Sequence, residues 1–220
     1  MKSELPCIIT ISRQLGSGGA YIGKFLADFL GIAYVDRKII IQAAKKLEMV
    51  EDELKSRDEN VTSFWKSFLQ LSTFAIQDGY LPPQMYIPGD AELFKTESEV
   101  IVGISKTYSS VIIGRCGSYI LRKHPRHISV FLHADTQFRQ QRIQELYRLS
   151  PEKALKMIHE SDCARNQYFH KFTGKDWTDA RQYNLSIDTG SIGLEKTKEL
   201  IINYYKAKFD ETGSANIGVQ

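Results

Sequence analysis

Several features that would point to a membrane, secreted or metal-binding protein are missing from this sequence. Only three cysteines occur among its 220 residues, an odd number without metal-site spacing. We interpret Cys7, Cys116 and Cys163 as reduced thiols. No apolar run approaches the roughly 18 residues that a membrane helix needs, and no apolar signal core follows the first methionine. These absences predict a cytoplasmic protein without a membrane partner.

The charge balance excludes a second group of functions. The net charge is only +3, which is too weak to indicate nucleic-acid binding but suits a small anionic ligand. The five histidines have no metal-like pairing, and neither repeats nor low-complexity segments occur. Hydrophobic residues make up 42% of the chain, enough for a complete core.

The sequence does contain an alternation of short apolar strands and helices. Five apolar runs alternate with helical patterns, which indicates an α/β fold with a five-stranded parallel sheet and right-handed crossovers. We predict one domain over residues 1–209. A polar, glycine-containing tail over residues 210–220 is expected to fray.

The most informative stretch joins the first strand to the first helix. An apolar, β-branched run from Ile8 to Ile11 leads into a glycine-rich turn. Converging backbone N–H groups and the positive end of a helix dipole make such a turn a phosphate cradle. The residues expected to hold nucleotide phosphates are Gly16, Ser17, Gly18, Gly19, Ala20 and Tyr21.

Helical periodicity determines the register of this turn. One apolar stripe consists of Ile22, Phe25, Leu26, Phe29 and Leu30. Gly31 stands where a left-handed cap belongs, so the helix begins near Gly19 or Ala20. The apparent GxxxxGK motif therefore places Lys24 more than one turn inside the helix. In the correct register the lysine position holds Gly19, and the position of the magnesium-binding hydroxyl holds Tyr21.

Charged residues follow the later strands, at the sheet edge where ligands of open α/β folds bind. Asp36 follows the second strand, where it caps the next helix, contacts a substrate, or does both. Arg115 follows the third strand and is expected to face the ligand crevice. Arg139 and Arg142 share one helix face. They either neutralise phosphate charge or form a solvated basic face with Glu145.

These motifs resemble the cytidylate kinase-like family, a divergent branch of the P-loop nucleoside monophosphate kinases. The resemblance spans nearly the whole chain. It is carried by Ser12-Arg13, the Gly-Ser-Gly-Gly loop, Leu30-Gly31, Gly114-Arg115-Cys116, Arg165, Tyr168, Phe169, Thr173-Gly174-Lys175 and Trp177. It implies a P-loop kinase fold with a helical acceptor-side insertion at about 51–91 and a lid region at about 139–182.

The resemblance also implies roles for individual residues. Those expected to bind the substrate are Asp36, Arg37, Arg115, Asp162 and Lys175, although Arg37 replaces a small residue of the kinases. Arg142 and Arg165 are expected to close on the phosphates. Arg13 is expected to supply the charge of the missing lysine. The cofactors would be ATP and Mg²⁺, with Ser17 or water as the metal ligand.

The implied reaction is transfer of the γ-phosphoryl group of ATP to a nucleoside monophosphate such as CMP or dCMP. Two alternatives stay open. The missing lysine, hydroxyl and aspartate after Arg115 favour a nucleotide-binding or regulatory module without turnover. The altered acceptor pocket favours a kinase for a non-nucleotide acceptor. The aromatic block between residues 64 and 74 packs a helical subdomain, forms a homodimer contact, or stacks on a base.

Overall fold

A parallel five-stranded sheet forms the centre of the computed structural model, which describes residues 5–43 and 91–209. Its strand order is β2-β3-β1-β4-β5. The strands are β1 (Ile8–Arg13), β2 (Ala33–Val35), β3 (Ser110–Ile113), β4 (His127–His133) and β5 (Leu185–Asp188). The predicted α/β class and P-loop kinase fold are confirmed. The insertion predicted at 51–91, apart from Ala91, and the tail at 210–220 lie outside the described residues.

Helices connect the strands and cover the sheet. They are α1 (Gly19–Leu30), α2 (residues 37–43), α3 (Ala91–Thr107), α4 (Gly117–Ile120), α5 (Thr136–Tyr147), α6 (Pro151–Thr173) and α7 (Thr189–Phe209), with a 3₁₀ turn at Ala180–Gln182. The last helix was expected to begin near Leu194. It begins instead at Thr189 and is interrupted at Gly193, whose φ of 79° and ψ of 163° are not helical.

Both faces of the sheet are buried, as expected of a parallel sheet with helical crossovers. On one face Ile8 packs with residues of α2 and α3, such as Ile40 and Ile101. On the other face Ile9 and Ile11 pack with residues of α1 and α7. The crossovers leave the C-terminal edge of the sheet as a crevice between the two layers.

The predicted boundaries of α1 are confirmed, but one member of its apolar stripe is not buried. The helix begins at Gly19 and ends at Gly31, which adopts the left-handed conformation with φ 64°. Ile22 and Leu26 are fully buried, whereas Phe29 is 55% exposed and stacks on Phe25. The helix packs through a narrow face, so a ring at the edge of the stripe stays in solvent.

Side-chain caps mark the starts of two other helices, the first of them the cap predicted at Asp36. Asp36 accepts a hydrogen bond from the backbone N–H of Ile39 at 3.1 Å, and Ser150 accepts one from Lys153 ahead of α6. None of the helices in the two described ranges combines the length and apolar character needed to cross a bilayer.

Candidate active site

The turn between β1 and α1 presents a set of backbone donors to solvent. Gly16 and Gly18 have φ values of 89° and 84°, which turn the chain around an open centre. The backbone N–H groups of Gly18, Gly19, Ala20 and Tyr21 make no hydrogen bond within the described ranges. Unpaired donors at a helix N-terminus attract an anion. Such a turn has the backbone arrangement expected of a phosphate-binding loop.

Two helices brace this phosphate loop from outside. The Asp162 carboxylate accepts hydrogen bonds from the Leu15 backbone at 2.9 Å, from Arg139 at 2.6 Å and from Arg165 at 3.2 Å. Arg139 is buried and also donates to the carbonyl of Ala134 at 3.0 Å. These contacts use the acceptor capacity of Asp162. Its surroundings favour a role in positioning the loop over the predicted substrate contact.

Neither hydroxyl near the loop is offered to a metal ion. The Ser17 hydroxyl is buried and faces the carbonyl oxygens of Gln14 at 2.9 Å and Leu132 at 3.1 Å. This placement argues against Ser17 as the magnesium ligand. The Tyr21 hydroxyl bonds to Glu195 at 3.1 Å and receives a bond from Lys198 at 3.3 Å. No cluster of three potential metal ligands occurs in the parts of the chain that the structure describes.

The residues present therefore do not fit a magnesium ion held directly by the protein. Mg²⁺ commonly retains several waters and binds through substrate phosphates. A nucleotide would bring the ion on its own phosphate oxygens, and we assign no protein ligand to it.

Lys24, the lysine of the apparent GxxxxGK motif, points away from the phosphate loop. Its ammonium group pairs with Asp28 at 2.7 Å, one turn further along α1. The side chain of Lys24 is 42% exposed. The interpretation that the motif is out of register agrees with this placement.

If the chain has the phosphoryl-transfer activity that its resemblance implies, replacing Lys24 by methionine is expected to leave that rate within about twofold of the wild-type rate. Exposed substitutions away from the site typically change stability by no more than about 0.5 kcal/mol, and an i, i+4 pair contributes less than that. Steady-state kinetics with ATP and an accepted acceptor measure the effect. A large loss of kcat would show that Lys24 does reach the phosphates.

Arg13 passes through the position that a P-loop lysine would occupy. A Cβ added at Gly19 would lie 2.5 Å from Arg13 Cγ, so the absence of a side chain at Gly19 makes room for the arginine stem. The guanidinium continues to Gly114, where an added Cβ would collide with Nη1. The side chain thus runs from the first turn of α1 to the end of β3.

The guanidinium of Arg13 lies in an electrostatically unfavourable place. Burial, and then the nearby charge of Arg165, lower the pKa of Arg13 to about 9, against the opposing effects of Tyr34 and Asp36. No side chain in the described ranges forms an ion pair or a hydrogen bond with this guanidinium. A buried cation without a bonded partner is favourable only when an anion joins it.

Arg13 lines a small cavity of about 110 Å³ at the C-terminal ends of β1 and β3. None of the described residues that line it is acidic. Its polar and aromatic lining includes Arg13, Arg37, Arg115, Arg165, Tyr168 and Trp177. Four guanidinium groups at one cavity indicate a strongly anionic ligand.

The main chain at the end of β3 is held in an uncommon conformation. Gly114, Arg115 and Cys116 all have positive φ values, of 74°, 51° and 55°. A side chain at either of the last two positions is unfavourable in this region. Such strain is concentrated at functional sites, and here it turns Arg115 toward the cavity.

A buried carboxylate that the sequence analysis missed holds Arg115. Glu97 on α3 is 1% exposed, pairs with Arg115 at 3.0 Å and accepts a hydrogen bond from Tyr168 at 2.8 Å. The Arg115 guanidinium also lies 4.9 Å from the centre of the Tyr168 ring. A signal was present in the sequence, because Glu97 precedes the buried Ile101 by four residues and so shares its apolar helix face.

The structure does not bring every predicted site residue to this cavity. Arg142 lies near the first turn of α1, with its guanidinium 6.0 Å from the centre of the Tyr21 ring. Lys175 is exposed on the loop after α6, and Asp36 caps α2. Arg13, Arg37, Arg115 and Arg165 are the predicted residues that do line it.

The N-terminal part of α7, directly after β5, packs against the opposite side of the phosphate loop. Asp188 accepts hydrogen bonds from the backbone of Gly190 at 3.0 Å and from the Ser191 hydroxyl at 2.7 Å. A Cβ added at Gly18 would lie 2.5 Å from a methyl carbon of Leu194. The phosphate loop is thus bordered by the start of α7 on one side and by the arginine-lined cavity on the other.

The sheet order, the glycine loop at a strand–helix junction and the crevice beside it define a P-loop kinase fold. The chain belongs to the cytidylate kinase-like family, whose sequence model matches residues 8–191. Family and fold together make it a nucleotide kinase-like protein.

Individual relatives agree with this assignment. A cytidylate kinase of Sulfurisphaera tokodaii is 25% identical over 205 residues, which cover 91% of this chain and 98% of that protein. The crystal structure of an uncharacterized protein from Eubacterium ventriosum has a TM-score of 0.69 at 22% identity, covering 92% of this chain and 99% of that chain. The second likeness concerns the fold alone.

Proposed function

We propose that this protein transfers the γ-phosphoryl group of ATP to a nucleoside monophosphate, CMP or dCMP. The observation that carries the proposal is the path of Arg13. Its stem fills the lysine position beside Gly19, and its guanidinium reaches the acceptor cavity at Gly114. A single cation then bridges the place where the donor phosphates bind and the place where the acceptor binds.

The proposed division of labour follows the geometry of the crevice. The backbone N–H groups of residues 18–21 bind the donor phosphates, and Arg13 neutralises the charge that spreads over the transferred group. Arg115 and Arg37 bind the acceptor phosphate, and Arg165 lies between the two sites. Phosphoryl transfer depends mainly on positioning and charge neutralisation, so these groups meet its chemical needs.

Two further predicted residues belong to the lid region at about 139–182. Arg142, beside Tyr21, and Lys175, on its exposed loop, are proposed to approach the phosphates when the lid closes. Lid closure commonly completes the catalytic set of such kinases and excludes water. ATP is the proposed donor, and magnesium accompanies it as the counterion of its phosphates.

The choice of a cytidine nucleotide rests on the cytidylate kinase of Sulfurisphaera tokodaii and on the aromatic wall of the cavity. Tyr168, Phe169 and Trp177 give the cavity apolar surface next to its arginines. Such rings can pack against a base. A phosphate at the arginines and a base at the rings match the two halves of a nucleoside monophosphate.

A second candidate is a kinase for a small non-nucleotide acceptor. It is favoured by the absence of acidic and amide side chains from the described lining of the cavity, because a base is usually identified by such groups. The acceptor in this case would still carry a phosphate or carboxylate for the arginines.

A substrate panel tests the proposal. The protein is incubated with ATP and magnesium together with CMP, dCMP, UMP, AMP, GMP or small phosphorylated and carboxylated acceptors, while ADP release and melting temperature are measured. We expect ADP release above the acceptor-free background with CMP or dCMP. Turnover restricted to a non-nucleotide acceptor would favour the second candidate. Stabilisation by ATP with no turnover on any acceptor would indicate a regulatory module.

A further inference from the structure

A second basic cavity lies at the edge of the sheet opposite the crevice. Its volume is about 250 Å³. It contains His127, the first residue of β4, and Asn184, which directly precedes β5. Since all strands are parallel, the N-terminal ends of β4 and β5 face away from the phosphate loop. None of its described lining residues also lines the arginine-rich crevice cavity.

Cations line this second cavity, and no carboxylate is among its described lining residues. None of its eleven described lining residues is acidic, and Arg122, Arg181 and Lys208 are among them. Arg181 pairs with Asp179 at 2.9 Å. Within residues 5–43 and 91–209, the hydrogen bonds of Arg122 and Lys208 go to carbonyl oxygens, of Tyr119 at 2.6 Å and of His127 at 2.7 Å. The guanidinium of Arg122 and the ammonium of Lys208 therefore keep most of their N–H donors for a ligand.

The lowered pKa of His127 reflects its burial and the positive charges around the second cavity. Its Nε2 lies 2.8 Å from Thr10 Oγ1. Burial, and then the nearby charges of His124 and Lys208, lower the pKa of His127 to about 4. The imidazole is therefore neutral at pH 7, and the cavity's charge comes from the arginines and the lysine.

A buried hydroxyl on the wall of this cavity has capacity for a ligand. Ser118 is 6% exposed, and its Oγ has no hydrogen-bond partner among the described residues. The neighbouring Tyr183 donates its phenolic proton elsewhere, to the carbonyl oxygen of Trp177 at 2.8 Å. Buried polar groups without a partner are uncommon in native proteins and are often satisfied by a ligand or water.

From these observations we propose that the second cavity is a binding site for a small phosphorylated anion. Water occupies about 30 Å³ per molecule in the liquid, so a volume of about 250 Å³ exceeds the needs of a single phosphate. The ligand has one or two phosphate groups, which contact Arg122 and Lys208, and a polar part near Ser118. The concave shape favours a small molecule over an extended polymer.

The position of this site connects it to the acceptor cavity through aromatic contacts. Tyr183, on the wall of the second cavity, stacks on Phe131 with ring centres 5.1 Å apart. Phe131 contacts Trp177 edge to face at 5.4 Å, and Trp177 lines the acceptor cavity. A ligand that moves Tyr183 would therefore act on a wall of the acceptor cavity.

A pair of charge-matched double variants tests the site with inorganic pyrophosphate as the probe. The first is Arg122→Gln with Lys208→Gln, which removes the two cations of the cavity. The second is Lys123→Gln with Lys206→Gln, which removes two exposed lysines nearby that do not line it. Both have the same net charge and an unaltered crevice, so any difference between them belongs to the second cavity. Titration calorimetry measures pyrophosphate binding to each.

We expect the Lys123/Lys206 variant to bind pyrophosphate as the wild type does. The Arg122/Lys208 variant should lose one class of site or bind there at least about tenfold more weakly, because bonds to charged groups are strong. Both should retain wild-type turnover. Superimposable isotherms for the two variants would refute the proposal. The double variant Arg122→Gln with Lys208→Gln could lower the melting temperature. In that case pyrophosphate binding is compared between the single variants Arg122→Gln and Lys123→Gln, and weaker binding by Arg122→Gln alone supports the proposal while equal binding refutes it.

Discussion

Replacing Arg13 by methionine is expected to abolish phosphoryl transfer and at the same time to stabilise the ligand-free protein. An arginine that neutralises transferring phosphoryl charge contributes about 10³-fold or more to kcat. Methionine replaces the arginine stem beside Gly19 without a charge. We expect kcat to fall by about 10³-fold, measured by ADP release at saturating ATP and acceptor.

The expected gain in stability has an electrostatic origin. Burial, with Arg165 and Arg115 nearby, lowers the pKa of the Arg13 guanidinium from its ordinary value to about 9. Exchanging poorly compensated buried charge for an apolar side chain commonly stabilises a protein, here by about 1 kcal/mol or more. Urea unfolding of the ligand-free proteins measures this difference.

The pH dependence of this difference provides a separate check. The unfolded chain keeps the Arg13 proton well above pH 9, whereas the folded protein, in which the pKa of Arg13 is lowered to about 9, begins to release it near that pH. Below pH 9 both states are protonated and the penalty of the buried charge is fully present. Above pH 9 the unfolded state binds more protons, so wild-type stability rises relative to the variant. The advantage of Arg13→Met is therefore constant at pH 7–8 and decreases at higher pH.

Two controls make the Arg13 assignment falsifiable. Lys24→Met changes the lysine of the apparent motif and should leave the rate near wild type. Gly19→Ala adds a Cβ that would lie 2.5 Å from Arg13 Cγ, so it should impair turnover by displacing the arginine. If Arg13→Met retains wild-type kcat in a protein that turns over CMP or dCMP, Arg13 does not neutralise the transferred group.

Replacing Glu97 by glutamine is expected to lower the free energy of unfolding more than any other substitution proposed for this protein. Glu97 is 1% exposed and is the carboxylate paired with Arg115 at 3.0 Å. Removing one partner of a buried pair leaves an uncompensated charge, which costs about 3 kcal/mol or more. Arg13 and Arg37 line the same cavity and would increase the repulsion. Urea denaturation at neutral pH measures the change in the free energy of unfolding.

Glu99→Gln is the matched control for this prediction. Glu99 lies on the same helix, α3, but is exposed, so its replacement should change the free energy of unfolding by no more than about 0.5 kcal/mol. Equal effects of the two substitutions would show that the Glu97–Arg115 pair contributes nothing to folding. Added CMP should restore part of the stability of Glu97→Gln, because a bound phosphate compensates the arginines.

Both predictions arise from one property of the crevice. The arginines that would bind phosphate are close together and partly buried at one cavity, and the left-handed backbone at Arg115 and Cys116 adds strain. When the chain folds without a ligand, repulsion between the arginines and the backbone strain both lower its stability. The negative charge of Glu97 offsets part of the repulsion. Conflict between stability and charge is expected where a site is organised for an anionic ligand.

The sequence by itself determined the fold class, the phosphate loop and its register. Strand and helix periodicities depend on neighbours a few residues apart, so the start of α1 at Gly19 and its end at Gly31 were readable from the chain. The same reasoning showed that the apparent GxxxxGK motif is out of register with the helix. The positions of Arg13 and Arg115 at strand ends also identified them as crevice residues, because parallel strands end at one edge.

The tertiary structure decided which of the charged residues meet and in what state. Sequence spacing could not show that Arg13 fills the space left by Gly19, or that Asp162 and Arg139 brace the loop. It placed a metal-binding hydroxyl at Ser17, which the structure turns toward two carbonyl oxygens. The second basic cavity combines residues from Ser118 to Lys208. Such arrangements depend on contacts between distant segments, and only packing of the helices on the sheet determines them.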